Sequence, residues 1–398
     1  MRPALSVIIP TRNRVATLGR TLEAWRGHES GAPFEVVVVD DGSEDRTFEA
    51  LTAAAAKDPR LRCLHQDGSG PAAARNRALA SSTGEIVLFT GDDIRPGAGL
   101  VEGHVAAHAA KEAARFILGR TEWDDERPVT PVMRHITGFG GQQFRYAYLR
   151  DGQRLGFKYF YGSNLSVARQ TLGATSGPFD ASFRGAALED ADLGYRLMNH
   201  RQEIGYKADL LAFHDHPYDV AGFAARQRRV GLATAGLAAK HPEVAAEFGW
   251  GLVTSAIEAA GHTPRAKAGG LALDDIEVVE RHLLEALSRP SEHGSGLLER
   301  LFLGLFWYFQ ARGIAEARVA EPDLRGVLWV LLRDALSCSL RAACRREGGA
   351  FDARSLELLA LAASAIESAA GRRPFPDCLA EELGARARAW RYAMTSRR

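Results

Sequence analysis

Cysteine is scarce in this chain: four residues in 398, at Cys63, Cys338, Cys344 and Cys378. Their spacing matches neither a zinc ribbon nor a bridged framework, so they read as free thiols of a reducing compartment. Charge of one sign is missing too. The 50 Lys and Arg are balanced by 49 Asp and Glu, a formal net charge of +1, which excludes a global electrostatic pull toward nucleic acid. No apolar run reaches the about 18 residues that span a bilayer. The closest, LFLGLFWYF at 301–309, suits a buried helix or a patch resting on a membrane surface. The opening MRPALSVIIPTRNR lacks the apolar core and small-residue cleavage site of a secretion signal, and reads as a first strand. Nor does that strand end in the G-x-G-x-x-G turn of a dinucleotide fold, which counts against a nicotinamide enzyme.

What is present is ordinary globular material, 46% apolar and 25% charged, with enough length for two domains. Strand patterns at Leu5–Pro10, Phe34–Val39, Leu61–His65 and Glu85–Thr90 alternate with helical patterns near Leu18–Trp25, Thr47–Ala56 and Pro71–Ser81. Such alternation predicts an α/β fold with a mostly parallel central sheet. Ligands of such sheets collect at the carboxyl ends of the strands, where TRN, DDGS and GDD all fall. From about Val220 the strand patterns stop. Amphipathic stretches such as Asp274–Leu287 and Ser355–Ala370 follow, separated by breaks at 261–270, 289–296 and 371–376. The expected division is a domain over 1–220 and an α-helical region over 221–398, serving acceptor, oligomer or membrane-surface contacts.

The stretch ALEDADLGYRL at 187–197 packs Glu189, Asp190 and Asp192 beside an apolar helical pattern. A second acidic pair, Asp92 and Asp93, closes the strand EIVLFT. Two acidic clusters at separate strand ends suggest one site with two tasks, metal binding and proton removal. Hard divalent cations take oxygen ligands, and Mg2+ is held by one or two carboxylates plus substrate phosphates. The alternatives are an exposed turn at Asp92-Asp93 and a helix N-terminus at Glu189, where acidic residues suit the dipole. Asp40 and Asp41 at the tip of the second strand could accept hydrogen bonds from a base or ribose, or cap a helix. Arg75, on a helix opened by Gly70 and Pro71, has the fork that a pyrophosphate fits, or is simply solvated. His214 and His216, in AFHDHP, could add a metal or phosphate contact, His214 being the better placed. Trp123 belongs to an aromatic-rich stretch, 119–160, that either meets an acceptor or packs an insertion. Asp124, Asp125 and Glu126 read as a solvated turn.

The ordered set SVIIPTRNR, EVVVVDDGSEDRT, GPAAARNRALA, GEIVLFTGDDIRP, GSNLSVAR, GPFDASFRG, LEDADLGYRL and AFHDHP resembles the family 2 glycosyltransferases of the GT-A fold, over roughly residues 4–220. The resemblance implies a Rossmann-like nucleotide-binding domain, inverting transfer from a nucleotide-diphosphate sugar (a UDP-sugar foremost), and assistance by Mn2+ or Mg2+. Asp190 would be the general base, with Glu189 beside it. Pro10, Thr11, Arg12, Asn13, Asp40, Asp41, Arg75 and Asp92 would meet the donor nucleotide. Asp93, Asp92 and His214 would hold the metal, and Asn164, Gly162, Trp123 and Asp192 would shape the donor-sugar and acceptor side. The acceptor would be a carbohydrate, a lipid-linked or a small molecule, as in glycoconjugate or cell-surface polysaccharide assembly. The implied place is the cytoplasm, with peripheral contact at the inner face of the membrane and self-association as further expectations. Two departures carry information. Gly91 stands where many relatives have a third Asp. The Gln-x-x-Arg-Trp signature of processive synthases is not matched, RQRRVG at 226–231 being nearest, which favours single addition. A sugar nucleotidyltransferase would open with a glycine-rich basic loop, and PTRNR is not one. A degenerate sugar- or nucleotide-binding protein is disfavoured by the intact acidic pairs.

Overall fold

The computed structural model describes residues 2–110, 114–124, 126–173, 177–185, 187–261, 273–289, 296–320 and 323–347. Cys378, Asp125 and the stretch 355–370 lie outside them. The described residues form two compact units, 1–129 with 141–217, and 130–140 with 218 onward. Residues 130–140 fall inside the span expected for the first domain, yet they cluster with the helical unit.

The first unit alternates β1 (Leu5–Thr11), α1 (Val15–Gly27), β2 (Phe34–Asp41), α2 (Thr47–Ala55), β3 (Leu61–Gln66), α3 (Pro71–Ser81) and β4 (Ile86–Thr90). It continues with β5 (Ile94–Pro96), α4 (Leu100–Ala109), β6 (Phe116–Trp123), β7 (Arg154–Leu155), β8 (Asn164–Ala168), α6 (Glu189–Met198) and β9 (Ile204–His214). The sheet runs β3-β2-β1-β4-β8-β6-β9-β5, with β7 on β9. β1 pairs in parallel with β2 and β4, β2 with β3, and β6 with β9, whereas β8 is antiparallel to both β4 and β6. This is the mostly parallel sheet that the alternation predicts.

Period-2 alternation sorts the strand residues. Leu5, Val7 and Ile9 pack with Val36, Val38 and the α1 residues Leu18, Leu22 and Trp25 in one apolar cluster. Ile8, Val37, Val39, Val87 and Phe89, of opposite parity, are also fully buried, which is why the strands read as unbroken apolar runs. Six strands run one way, so Thr11, Asp41, Thr90, Trp123 and His214 end at one edge. The register Thr90↔Asn164 brings the start of β8 to that edge as well.

The second unit holds α5 (Pro131–Thr137), α7 (Val220–Lys240), α8 (Trp250–Gly261), α9 (Leu273–Ser288), α10 (Gly296–Arg318) and α11 (Asp323–Glu347). The run 301–309 lies within α10, where Leu301, Phe302, Leu305, Phe306, Tyr308 and Phe309 are buried. The run is thus mostly buried, with Trp307 40% exposed, and no described helix is long and apolar enough to cross a membrane. α5 joins this unit because buried His135 bonds Glu299 through Nδ1 and sets its ring against Phe302 and Phe306. At the α7–α10 crossing two glycines face each other. A Cβ at Gly231 would run into the Gln310 carbonyl, and one at Gly313 into the Arg228 carbonyl. Gly231→Ala is therefore expected to lower stability by about 1–3 kcal/mol through overpacking. A thermal or urea midpoint equal to wild type would show that the helices part without cost.

Candidate active site

The loop after β1 and the loop after β2 are laced together. Asn13, with φ 53°, receives Glu44 N–H at Oδ1 (2.8 Å), and its own N–H donates to Ser43 Oγ (2.8 Å). Gly42 has φ +70°, and a Cβ there would sit 2.6 Å from Gly68 N. This close approach is why the DDGS turn needs glycine. Asp41 accepts from Gln66 Nε2, Ser69 N–H and Gly70 N–H, each at 2.8 Å. Of the residues expected to meet the nucleotide, Asp41 thus spends its carboxylate, and Asn13 its Oδ1, on loop architecture. Asp40 differs: Oδ2 is bonded by His65 Nδ1 (2.8 Å) and Ser43 N–H (3.2 Å). Its Oδ1 is buried with no protein donor. Arg12 lies over Gly68 and 3.8 Å from Glu44, and Pro10 is half-buried at the end of β1.

Asp92 and Asp93 follow β4. Thr11 donates its hydroxyl to Asp92 Oδ2 at 2.7 Å, and Thr21 donates to the Asp92 carbonyl at 2.8 Å. Three nitrogens gather at Asp93 Oδ2: Arg14 Nη2, which donates to it at 2.6 Å, His216 Nδ1 at 3.3 Å and His214 Nε2 at 3.4 Å. Burial, with Asp93 alongside, pushes Asp92 up to about 6 against the opposing pull of Arg14 and Thr11. Burial acts the same way on Asp93, but His214, His216 and Arg14 outweigh it and hold its carboxyl far below the usual range. Asp93, His214 and His216 offer ligand atoms within 4.8 Å of one another. Two imidazoles and one carboxylate fit a divalent first-row ion, Mn2+ better than Mg2+, which prefers an oxygen shell. Asp92, expected as a ligand, is instead turned to Thr11 and lies outside that trio.

Asp215, between the two histidines in sequence, anchors their segment. Asp215 is fully buried and salt-bridged to Arg20 at 2.5 Å and Arg127 at 3.0 Å. Its N–H donates to the Asp93 carbonyl at 2.8 Å, tying the HDH segment to the acidic pair. Trp123 stacks on His214 (centroids 5.2 Å apart, planes at 16°), and His214 stacks on His216 (5.6 Å, 18°). Phe144 meets His214 edge-on at 5.5 Å and contacts Tyr161 at 5.7 Å. Of the aromatics in 119–160, Trp123 and Phe144 reach the histidines; Tyr146 and Phe157 are buried packing.

The second cluster assembles around the start of α6. Buried Arg75 donates Nη1 to Glu189 Oε1 at 2.7 Å and lies 5.5 Å over the Phe179 ring. Burial pushes the Glu189 carboxyl up against the pull of Arg75. Asp190 Oδ1 accepts from Ala191 N–H at 2.8 Å, and Oδ2 accepts from Gly162 N–H at 3.2 Å. Leu188, just before this pair, holds φ 64°, a left-handed conformation that costs a bulky residue roughly 1–3 kcal/mol. Gly162 and Asp92 each lie two residues beyond the last β4–β8 pair, and Thr90 Oγ1 donates to Ser163 O at 3.0 Å. The acidic clusters therefore share one sheet edge.

Two expectations need correction. Asn164, expected to line the donor-sugar pocket, is 1% exposed and saturated within the sheet. Its Nδ2 donates to Leu210 O (2.9 Å) and Arg120 O (3.1 Å), and its Oδ1 accepts from His104 Nε2 (2.9 Å). These carbonyls lie where the β6–β9 register slips between Gly119 and Arg120, so Asn164 satisfies a bulge. Burial lowers His104 and His108 to about 4. With both rings neutral, the chain runs from His108 Nε2–H to Ser166 Oγ, and from the Ser166 hydroxyl to His104 Nδ1. Asp192, also expected at the donor-sugar side, is fully buried and gripped by Arg196 at 2.9 and 2.8 Å. It organises α6 rather than facing the edge.

Residues 6–170 match the model of the family described as Glycosyl transferase family 2. The chain is 30% identical over 253 residues to the pre-mycofactocin glycosyltransferase of Mycobacterium tuberculosis, covering 60% of this chain and 48% of that protein. It is 27% identical over 334 residues to the validoxylamine A glucosyltransferase of Streptomyces hygroscopicus subsp. limoneus, covering 73% and 69%. Against an uncharacterized glycosyltransferase of Bacillus subtilis, YfnE, identity is 36% over 255 residues, covering 53% and 65%. The chain thus spans about half the length of the mycobacterial relative. S. aureus TarS 1-349 aligns over 97% of this chain and 92% of its own at 16% identity, with a TM-score of 0.44. The acidic tips at Asp40-Asp41 and Asp92-Asp93 fall within the matched segment, the α6 pair and the HDH segment follow it in sequence, and over residues 6–170 the chain is similar to the family 2 glycosyltransferases.

Proposed function

We propose that this protein is an inverting glycosyltransferase that moves a sugar from a nucleotide-diphosphate donor to an acceptor hydroxyl, one residue at a time. The observation that carries the reading is the placement of Asp190 beside Gly162, on the same edge as Asp93, His214 and His216. The relatives' names, all of glycosyltransferases, support the reaction class.

In this reading Asp190 takes the acceptor O–H proton as that oxygen attacks the anomeric carbon. The bond from that carbon to the diphosphate oxygen breaks, and its electron pair leaves on the diphosphate. Two backbone N–H groups hold the Asp190 carboxylate in place, so little reorganisation precedes proton transfer. The Arg75–Glu189 pair lies against Gly162, whose absent Cβ would be 3.4 Å from Arg75 Nη2, and so shapes the floor beneath the base. Asp40 Oδ1, buried and lacking a protein donor, is an acceptor for a nucleobase or ribose proton, with Thr11 alongside. Trp123 offers a ring face at the histidine side. Mn2+, held by Asp93, His214 and His216, would offset the charge that grows on the leaving diphosphate.

The test is nucleoside-diphosphate release from UDP-, GDP-, dTDP- and CDP-sugars with Mn2+, Mg2+ or a chelator. One donor class should respond, more strongly with Mn2+ than with Mg2+, and the chelator should abolish release. Silence toward every donor with either ion would sink the transferase reading.

A further inference from the structure

The trio Asp93, His214 and His216 has a fourth member that competes with any cation. Arg14 Nη2 lies 2.6 Å from Asp93 Oδ2 and 3.0 Å from His216 Nδ1, while its Nε lies 3.5 Å from Asp92 Oδ1. One guanidinium therefore uses the same carboxylate oxygen and the same imidazole nitrogen that a divalent ion would use. A ligand nitrogen cannot face an N–H and a metal at once, and two cations sharing one carboxylate oxygen repel strongly in a partly buried site.

The backbone around Arg14 is fixed. Its N–H donates to Thr47 Oγ1 at 2.9 Å, and Asn13 is tied to Ser43 and Glu44. The side chain is part-exposed, at 28%, so it can turn outward without moving the loop. From that loop, at the carboxyl end of β1, the freed fork is placed to meet the oxygens of a bound diphosphate.

We infer that Arg14 is a resident counter-cation of this site: it offsets the negative charge at Asp92 and Asp93 in the metal-free protein and must be displaced before a divalent ion binds. The inference rests on the metal reading proposed above and adds an order of events. Arg14 and the ion exclude each other at Asp93, and the departing guanidinium becomes a phosphate contact. Whatever affinity Arg14 withholds from the metal is thereby linked to the presence of an anion that can take Arg14.

The experiment is titration of the full-length protein with Mn2+ alone, followed by calorimetry or by the loss of the free Mn2+ electron paramagnetic resonance signal. Wild type is compared with Arg14→Gln and Arg14→Lys, each first checked for a wild-type-like melting transition. Arg14→Gln should bind Mn2+ about tenfold or more tighter than wild type, because a competing unit charge is gone. Arg14→Lys, which keeps the charge, should stay near the wild-type affinity and stands as the readout if the Gln variant fails to fold: binding tightened tenfold in Lys would contradict the charge competition. Equal Mn2+ affinity in wild type and Arg14→Gln overturns the role of Arg14 while leaving the trio as ligands. No Mn2+ binding by either protein up to millimolar concentration overturns the metal reading and the inference together.

Discussion

Asp190→Asn is expected to lower turnover by about 10²–10⁴-fold, the range that a lost general base commands, while nucleotide and Mn2+ affinity hold. The substitution is close to isosteric, but the site is not neutral to it. Asp190 uses one oxygen for Ala191 N–H and the other for Gly162 N–H. An asparagine has a single acceptor oxygen, so its NH2 group would face one of those two N–H donors. That local mismatch costs about 1 kcal/mol of stability, small beside the expected kinetic loss. The checks are kcat for donor and acceptor together, and nucleotide binding by calorimetry on the same preparation. Turnover within a few-fold of wild type would remove Asp190 as the base.

The second large effect is on folding. Arg75→Leu strips the partner from a Glu189 that is 4% exposed, and breaking a buried pair from one side costs about 3–5 kcal/mol. The variant is expected to melt well below wild type. The deficit should depend on pH. Burial already raises the Glu189 carboxyl, and losing Arg75 raises it further. A carboxyl whose folded value lies above its unfolded value binds protons more tightly when folded. Stability of the variant therefore falls as pH rises from the unfolded value through the folded one, and the deficit is smallest on the acid side. Arg75→Leu with Glu189→Leu should recover most of the loss, because apolar replacement of a buried pair is often neutral. Failure of the double variant to recover would mean that Arg75 acts chiefly through other contacts, such as the Phe179 ring 5.5 Å away. Urea unfolding of wild type, single and double variants at acid and neutral pH decides between these outcomes.

The early strands are legible in the sequence to within two residues. The apolar run Phe34–Val39 predicts a strand and forms part of Phe34–Asp41; the Pro71–Ser81 pattern predicts a helix and forms one. These segments are buried on both faces or opened by Gly-Pro, so the local sequence carries the whole signal. The acidic tips were legible for the same reason, since a carboxylate pair ending an apolar strand needs no tertiary information to stand out. His216 was legible only as the weaker candidate of its pair, and Arg14 was not. His216 looks like half of a surface HDH turn, and Arg14 like one basic residue among several in TRNR. Both are made site residues by Asp93, which is 79 residues from one and 123 from the other in sequence.

By itself, then, the sequence determined the α/β alternation, the edge at which chemistry gathers, and the chemical types that gather there. Local periodicity and capping set those, and they act over a few residues. Only the tertiary structure decided which groups remain available. It used Asp41 and Asn13 to lace loops, Asn164 to satisfy a bulge between β6 and β9, and Asp192 to clamp Arg196. It left Asp40 Oδ1 without a protein partner and set Arg14 against Asp93. The physical reason is that a buried polar atom must find a partner somewhere. Which partner it finds depends on strand register and loop approach between segments far apart in the chain, and no window of sequence contains that.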